Sequence, residues 1–227
     1  YWTREPAISD RIARSYADTE GTEEPYVEIA ARPSGSLNVT ARDLAMLPLL
    51  MLGRGTLDGR TYLRPESVER IERPQTTDGA RAGLRYGYGL GNMVYPGDRA
   101  VFHGHDGGID GFLAKTEYAP GLGLGFVVMA NLGTREVIEI SDEIRRYLER
   151  GLPTVVLPAS QPVPAADLEA WAGTYQSITP RQQKLALLGV LGWQKARADG
   201  GALLFNDARR IHLGGGIFQR EDRPMPN

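Results

Sequence analysis

Residues Phe102–Phe112 read FHGHDGGIDGF, and the interpretation of the whole chain starts from this stretch. It places two of the three histidines and two carboxylates among closely spaced glycines. Alternate residues of an extended chain share a face, and glycine lets the backbone bend or approach another molecule closely. The stretch therefore predicts a glycine-rich strand edge that carries polar side chains.

Three interpretations of this stretch are open from the residues alone. In the first, the glycines shape a bulge and the polar side chains are solvated. In the second, His103 and His105 share a strand face and bind a metal ion. The zinc-site pattern His-x-His-x-Asp-His would need Asp and His where Gly107 and Gly108 stand, so we predict no metal ligands. In the third, this is an active-site strand whose backbone N–H faces a developing oxyanion.

Composition removes several function classes. The 227 residues carry 26 Lys and Arg against 28 Asp and Glu, a net charge of -2, so nucleic acid is not an expected partner. The absence of cysteine excludes thiol nucleophiles and thiolate metal sites. No apolar run reaches the roughly 20 residues of a membrane-spanning helix, and nothing predicts a cofactor.

Helical signals precede the glycine-rich stretch. Thr40, followed three residues later by a carboxylate, predicts the start of a helix through Leu44–Met51 with one buried face. Gly53 and Gly55 would end this helix at positive φ. A proline near its start predicts a second, shorter helix over Arg64–Ile71.

Alternating residues and glycine punctuation predict strands between Gly83 and Leu132. The turn residues of Pro120–Gly123 indicate a hairpin between the last two strands. An amphipathic helix through Val137–Leu148 should then pack on the sheet. We therefore expect an α+β fold, an antiparallel sheet with packed helices, followed by a small β-rich C-terminal module.

Proline spacing suggests where the domains divide. Residues 152–164 contain four prolines and form the expected linker. Residues 1–151 are the expected main domain, and residues 165–227 the accessory module, with strands in 168–175, 200–205 and 210–218 and a helix in 181–193. The chain begins at Tyr1 without an initiator Met, which we interpret as a start within a longer protein.

The run His105–Phe112, followed by a strand, a Pro-Gly turn and Val127–Asn131, resembles the His-x-Gly region of serine β-lactamase and penicillin-binding-protein-like hydrolases. The resemblance covers about residues 32–147. The upstream segments that resemble the region between the family's second and third motifs are Ser34–Ala45, Gly55–Arg60, Leu63–Val68 and Tyr86–Gly91.

The resemblance implies a serine hydrolase that forms an acyl-enzyme on an ester, amide, β-lactam or peptide substrate. His105 takes the place of the residue that opens the third motif, Gly107 is its small residue, and Gly108 supplies an oxyanion N–H. Asp106 holds the middle position, where a carboxylate would repel a substrate anion, and this favours an esterase, amidase or peptidase.

The other catalytic motifs are absent from this sequence. No Ser is followed three residues later by Lys, and no Tyr is followed two residues later by Asn. We therefore expect the chain alone to be inactive and the N-terminal half of the catalytic domain to be its missing partner. A non-catalytic binding protein of the same fold, or an isolated fragment that needs a partner chain, remains the alternative. Family resemblance favours an extracytoplasmic location.

Overall fold

The structure is a computed structural model that describes residues 9–222, except 28, 30–33, 76, 82, 135 and 177–192. A 3₁₀ turn occupies Ser9–Arg11. The α-helices are α1 (Ala41–Leu44), α2 (Met46–Leu52), α3 (Pro65–Glu72), α4 (Asp78–Arg81), α5 (Glu136–Leu148) and α6 (Ala165–Ala170).

The strands fall into two small hairpins and two five-stranded antiparallel sheets. They confirm the predicted α+β class. In chain order the strands are β1 (Ser15–Tyr16), β2 (Glu23–Glu24), β3 (Thr56–Leu57), β4 (Arg60–Thr61), β5 (Gly87–Tyr88), β6 (Met93–Pro96), β7 (Val101–Ile109), β8 (Phe112–Ala119), β9 (Leu124–Ala130), β10 (Gly173–Tyr175), β11 (Gln194–Asp199), β12 (Ala202–Phe205), β13 (Ala208–Gly214) and β14 (Ile217–Arg220).

The first large sheet has the strand order β5-β6-β7-β8-β9, so every pair of neighbours is also consecutive in the chain. The turn at Pro120–Gly123 joins β8 to β9 as predicted. The glycine-rich stretch forms most of β7 and the tight turn into β8, where Gly111 has φ 67°. Consecutive hairpins thus place β7 in the middle of the sheet.

Helices α2 and α3 pack on one face of this sheet through the buried side chains of Met51, Val68 and Tyr118. The predicted cap is present, since the Thr40 side chain accepts a hydrogen bond from the Asp43 amide. The single predicted helix is nevertheless divided in two. Pro48 has no N–H to donate to the residue four positions earlier, and the helix breaks at Ala45.

Two further details of the helix prediction are wrong. The predicted apolar face is only partly buried, because Leu47 is 52% exposed and Met46 37% exposed. Gly53 has φ -74° instead of a positive value. An added Cβ there would overlap the Thr56 carbonyl oxygen, so glycine is needed for close approach, while Gly55 does adopt φ 92°.

Helix α5 packs on the opposite face of the sheet. The adjacent residues Glu117 and Tyr118 of β8 point to opposite faces, and Glu117 contacts α5 while Tyr118 contacts α3. The contact of α5 differs from the expected apolar stripe, because Ile140 and Tyr147 are 51% and 63% exposed. The side chain of Arg145 instead forms a bidentate ion pair with Glu117 at 2.7 and 3.0 Å. Lys115 adds a second cation 2.8 Å from the same carboxylate. A buried charge cluster therefore fastens this helix.

The second sheet has the order β10-β11-β12-β13-β14 and packs around Leu168, Ala196 and Leu203. Part of the predicted strand over 168–175 is instead α6, and only Gly173–Tyr175 is extended. Part of the predicted strand over 200–205 is a turn at Gly200–Gly201, so β12 begins at Ala202, and the region 210–218 is a hairpin of two strands. Apart from Trp193, the helix predicted for 181–193 lies outside the described residues.

Residues 152–164, the expected linker, contain neither helix nor strand. The domain boundaries at 151 and 165 stay predictions. In the described parts of the chain, each helix is too short or too polar to cross a bilayer.

Candidate active site

The direction of the Gly108 amide follows from the turns that flank β7. At the β6–β7 turn, the Gly97 amide donates to the Ala100 carbonyl at 2.9 Å, which makes that pair a hydrogen-bonded one. Antiparallel pairs alternate between hydrogen-bonded and non-hydrogen-bonded. Counting along β7, the N–H groups of Phe102 and Gly104 point to β6, and those of Asp106 and Gly108 point to the same side, away from β8.

The two-residue turn after Ile109 gives the same direction for the Gly108 amide. Ile109 and Phe112 close the β7–β8 hairpin as a hydrogen-bonded pair, so the next pair, Gly108 and Leu113, is a non-hydrogen-bonded one. Strand β6 begins at Met93, which pairs with Gly104. Among the described residues, no strand pairs with this edge of β7 beyond Gly104. The Gly108 amide therefore lies at an open strand edge instead of inside the ladder.

Gly107 and Gly108 are both exposed. An added Cβ at Gly107 would meet no described atom within 4 Å, whereas one at Gly108 would lie 2.7 Å from Leu113 Cδ2. Glycine at these positions leaves the backbone of β7 accessible from outside. An oxygen atom of another molecule can approach the Gly108 amide without displacing a side chain at Gly107.

His105 is held at both ring nitrogens. Its Nδ1 contacts the carbonyl oxygen of Asp106, and its Nε2 lies 2.8 Å from the Tyr88 hydroxyl. The two rings meet edge to face, with centroids 5.7 Å apart. A carbonyl can only accept a hydrogen bond, so Nδ1 must carry a proton. His105 is thus a fixed part of the strand edge.

Asp106 is half-buried and stands opposite Lys115 in the β7–β8 register. The Lys115 ammonium pairs with Glu117 at 2.8 Å and also lies over the Tyr95 ring. Directly opposed residues share a face of the sheet, so Asp106 and Lys115 both lie on the face that carries α5, where Glu117 engages the cation. Asp106 therefore places a carboxylate at the middle position of the motif, where the sequence predicts substrate recognition.

His103 has a different environment from His105, which separates the two histidines of the metal interpretation. Its ring stacks on Tyr118 at 5.5 Å, and its Nδ1 is buried with no hydrogen-bond partner among the described residues. Burial lowers the pKa of His103 below its usual range. The described residues include no cluster of three or more metal-ligating side chains.

A buried polar network continues from Tyr118. Its hydroxyl accepts from Asn92 at 2.7 Å and donates to Glu72 at 3.3 Å, and Glu72 pairs with Arg54 at 2.6 Å. Burial, together with the charge of Glu72, raises the pKa of Tyr118. A cavity of about 300 Å³ beside this network has His103 and Glu72 in its wall.

Sequence reasoning missed Tyr88 as the partner of His105. Its alternation with Tyr86 and Leu90 predicted a strand, of which only Gly87–Tyr88 forms, and gave no sign of a contact with His105. The Glu117 cluster was also missed. Lys115 and Glu117 stand two residues apart, so they share a strand face, and this spacing is the signal that could have indicated an ion pair.

Comparison with known proteins gives consistent results. The β-lactamase family model matches residues 1–149. A human protein described as beta-lactamase-like 1 is 29% identical over 224 residues, which cover 94% of this chain and 43% of that protein. Penicillin-binding protein 4 of Amycolatopsis lactamdurans is 25% identical over 184 residues, which cover 76% of this chain and 48% of that protein.

Among solved structures, the octameric penicillin-binding protein homologue from Pyrococcus abyssi aligns with a TM-score of 0.46 and 18% identity. The alignment covers 96% of this chain and 45% of that chain. This chain therefore spans less than half the length of the proteins that it matches here.

Proposed function

Because this chain belongs to the β-lactamase family, we propose that it is part of a serine hydrolase that acts through an acyl-enzyme. The substrate is an ester, an amide, a β-lactam or a peptide. The serine nucleophile and its base come from polypeptide outside this chain, in Ser-x-x-Lys and Tyr-x-Asn motifs. The chain itself contributes the wall opposite the nucleophile.

The observation that carries this proposal is the open edge of β7. The Gly108 amide points away from β8 at a place where no described strand covers it. An N–H fixed in a sheet needs no reorientation when negative charge develops on an acyl oxygen, and such donors contribute about 3 kcal/mol each to acyl transfer. Gly107 leaves room for the substrate beside it.

Asp106 directs the choice among substrates. A carboxylate at the middle position of the motif repels a substrate carboxylate held nearby, since like charges about 4 Å apart cost roughly 1–4 kcal/mol. We accordingly propose a neutral or cationic acyl compound, an ester or amide, ahead of a penicillin-type anion. Asp106→Thr in the intact protein should increase the relative rate with penicillin.

Labelling of the intact protein with a fluorophosphonate probe tests the acyl-enzyme. We expect one serine to be modified, with its peptide identified by mass spectrometry. The 227-residue chain alone should remain unlabelled, which is the matched control. An intact protein that binds substrate but never reacts with the probe would instead be a non-catalytic binding member of the family, and the proposal would be wrong.

Family membership also leads us to propose an extracytoplasmic location for the intact protein. Fractionation of cells with an antibody against this chain tests it. Recovery of the protein only with cytosolic markers would contradict this part of the proposal.

A further inference from the structure

Tyr88 is the side chain that completes the environment of His105. It lies on β5, and its partner in the register is Met93 of β6, which in turn pairs with Gly104. The Tyr88 side chain contacts the ring of His105, the residue that follows Gly104, past the first residue of β6. At 2.8 Å, its hydroxyl is at hydrogen-bonding distance from His105 Nε2.

The two contacts of His105 define one tautomer. Because Nδ1 donates to the Asp106 carbonyl, the neutral imidazole has a lone pair at Nε2. Tyr88 supplies the hydroxyl proton that this lone pair accepts. Free histidine favours the opposite tautomer, with the proton on Nε2, so the protein has to select this one.

The Asp106 carbonyl lies on the same edge of β7 as the Gly108 amide. In an antiparallel strand the N–H and C=O of one residue point to the same side, so both Asp106 groups face away from β8 with the Gly108 N–H. A bare carbonyl oxygen at this edge would repel a developing oxyanion nearby. The His105 Nδ1–H occupies that oxygen and reduces the repulsion.

We propose that Tyr88 is a positioning residue that holds His105 in its Nδ1–H tautomer and thereby keeps the Asp106 carbonyl engaged beside the Gly108 amide. This role rests on the proposed function, because it concerns the acyl oxygen that the Gly108 amide would bind. The tautomer itself is a property of this chain and can be measured without substrate.

Nitrogen-15 NMR of the histidine rings measures the tautomer directly. For the neutral imidazole of His105 in the 227-residue chain, we expect the Nδ1–H pattern. Tyr88→Phe should lower the ratio of Nδ1–H to Nε2–H about five- to tenfold, the effect of losing one hydrogen bond. Tyr95→Phe is the matched control, since its hydroxyl donates to the Met93 sulfur and should leave His105 unchanged.

A wild-type His105 with the proton on Nε2 would overturn the inference without any variant. A Tyr88→Phe spectrum identical to the wild-type spectrum would do the same. In the intact protein, Tyr88→Phe should lower kcat about tenfold with little change in KM. A loss confined to KM would indicate a general binding role and would contradict positioning.

The two proposals can fail separately. An intact protein that never reacts with the fluorophosphonate overturns the proposed function. A reactive protein whose Tyr88→Phe variant is acylated at the wild-type rate overturns only the role of Tyr88.

Discussion

Arg145→Met tests whether charge, and not apolar area, fastens α5 to the sheet. Arg145 is 13% exposed and Glu117 is fully buried, and two hydrogen bonds of 2.7 and 3.0 Å join them. Methionine is unbranched, replaces the aliphatic part of the arginine side chain and has a similar helix propensity. The variant therefore removes the charge and the hydrogen bonds while it keeps most of the packing.

The magnitude follows from the burial of Glu117. Removing one partner of a buried ion pair costs about 3–5 kcal/mol, because the remaining charge stays desolvated. Lys115 still contacts the carboxylate at 2.8 Å, so we expect the lower part of this range. With a urea m-value of about 2–3 kcal/mol/M, the unfolding midpoint should fall by about 1–2 M.

The assay is urea unfolding followed by far-UV circular dichroism, with Arg146→Met as the matched control. Arg146 pairs with Glu143 on the same helix, but the two side chains are 55% and 69% exposed. An exposed pair of this kind contributes about 0.5 kcal/mol or less. Equal midpoint shifts in the two variants would refute the reasoning, because burial would then make no difference.

Three further predictions concern the rest of the first sheet and its helices. Burial lowers the pKa of His103, so as pH falls through about 6.5 the unfolded state binds a proton before the folded state does. The stability that the protein has above that pH is therefore partly lost below it. His103→Gln should reduce this difference in the free energy of unfolding, measured by urea unfolding at about pH 8 and about pH 5. Gly104→Ala should cost about 2–6 kcal/mol, since φ is 153° and the new Cβ would overlap the Thr116 carbonyl oxygen. Gly107→Ala, whose Cβ would meet no described atom within 4 Å, should change the free energy of unfolding by at most about 0.5 kcal/mol. Thermal melts of the two glycine variants measure both changes, and equal losses would contradict the packing argument. Thr40→Ala removes a helix cap and should lower the free energy of unfolding by about 1 kcal/mol, and an unchanged value would mean that the cap is not formed in solution.

The fold class could be predicted because local signals and tertiary structure agree in the first sheet. Residue alternation and a Pro-Gly turn give β8, β9 and their hairpin, and these features depend on short stretches of chain. The helix over 41–52 was predicted at the right place but not with its break. Pro48 was visible in the sequence, and its missing N–H is a local effect that periodicity alone does not register.

The packing of α5 could not be predicted from its apolar stripe. Periodicity identifies a helix but assumes that the apolar side faces the core. Here Arg145 turns to the sheet because Glu117 is buried there, and the two residues are 28 positions apart in the chain. A partner that distant is chosen by the sheet register, which the helix sequence does not contain.

The direction of the backbone amide in the candidate site also depends on residues outside the motif. The residue types of the motif, His105 through Gly108, follow from the sequence, but the direction of a backbone N–H depends on which pairs of the ladder are hydrogen-bonded. Which pairs are hydrogen-bonded is determined by the turn at Gly97–Ala100, several residues before the motif, and by the two-residue turn after Ile109. The turn at 98–99 should absorb one inserted residue without a change in β7. One residue inserted between His105 and Gly108 would instead turn the Gly108 amide toward β8 and remove it from the open edge. An acylation assay of these two insertions in the intact protein therefore separates the chemistry of the residues from the geometry of the strand, and we expect only the second insertion to abolish labelling.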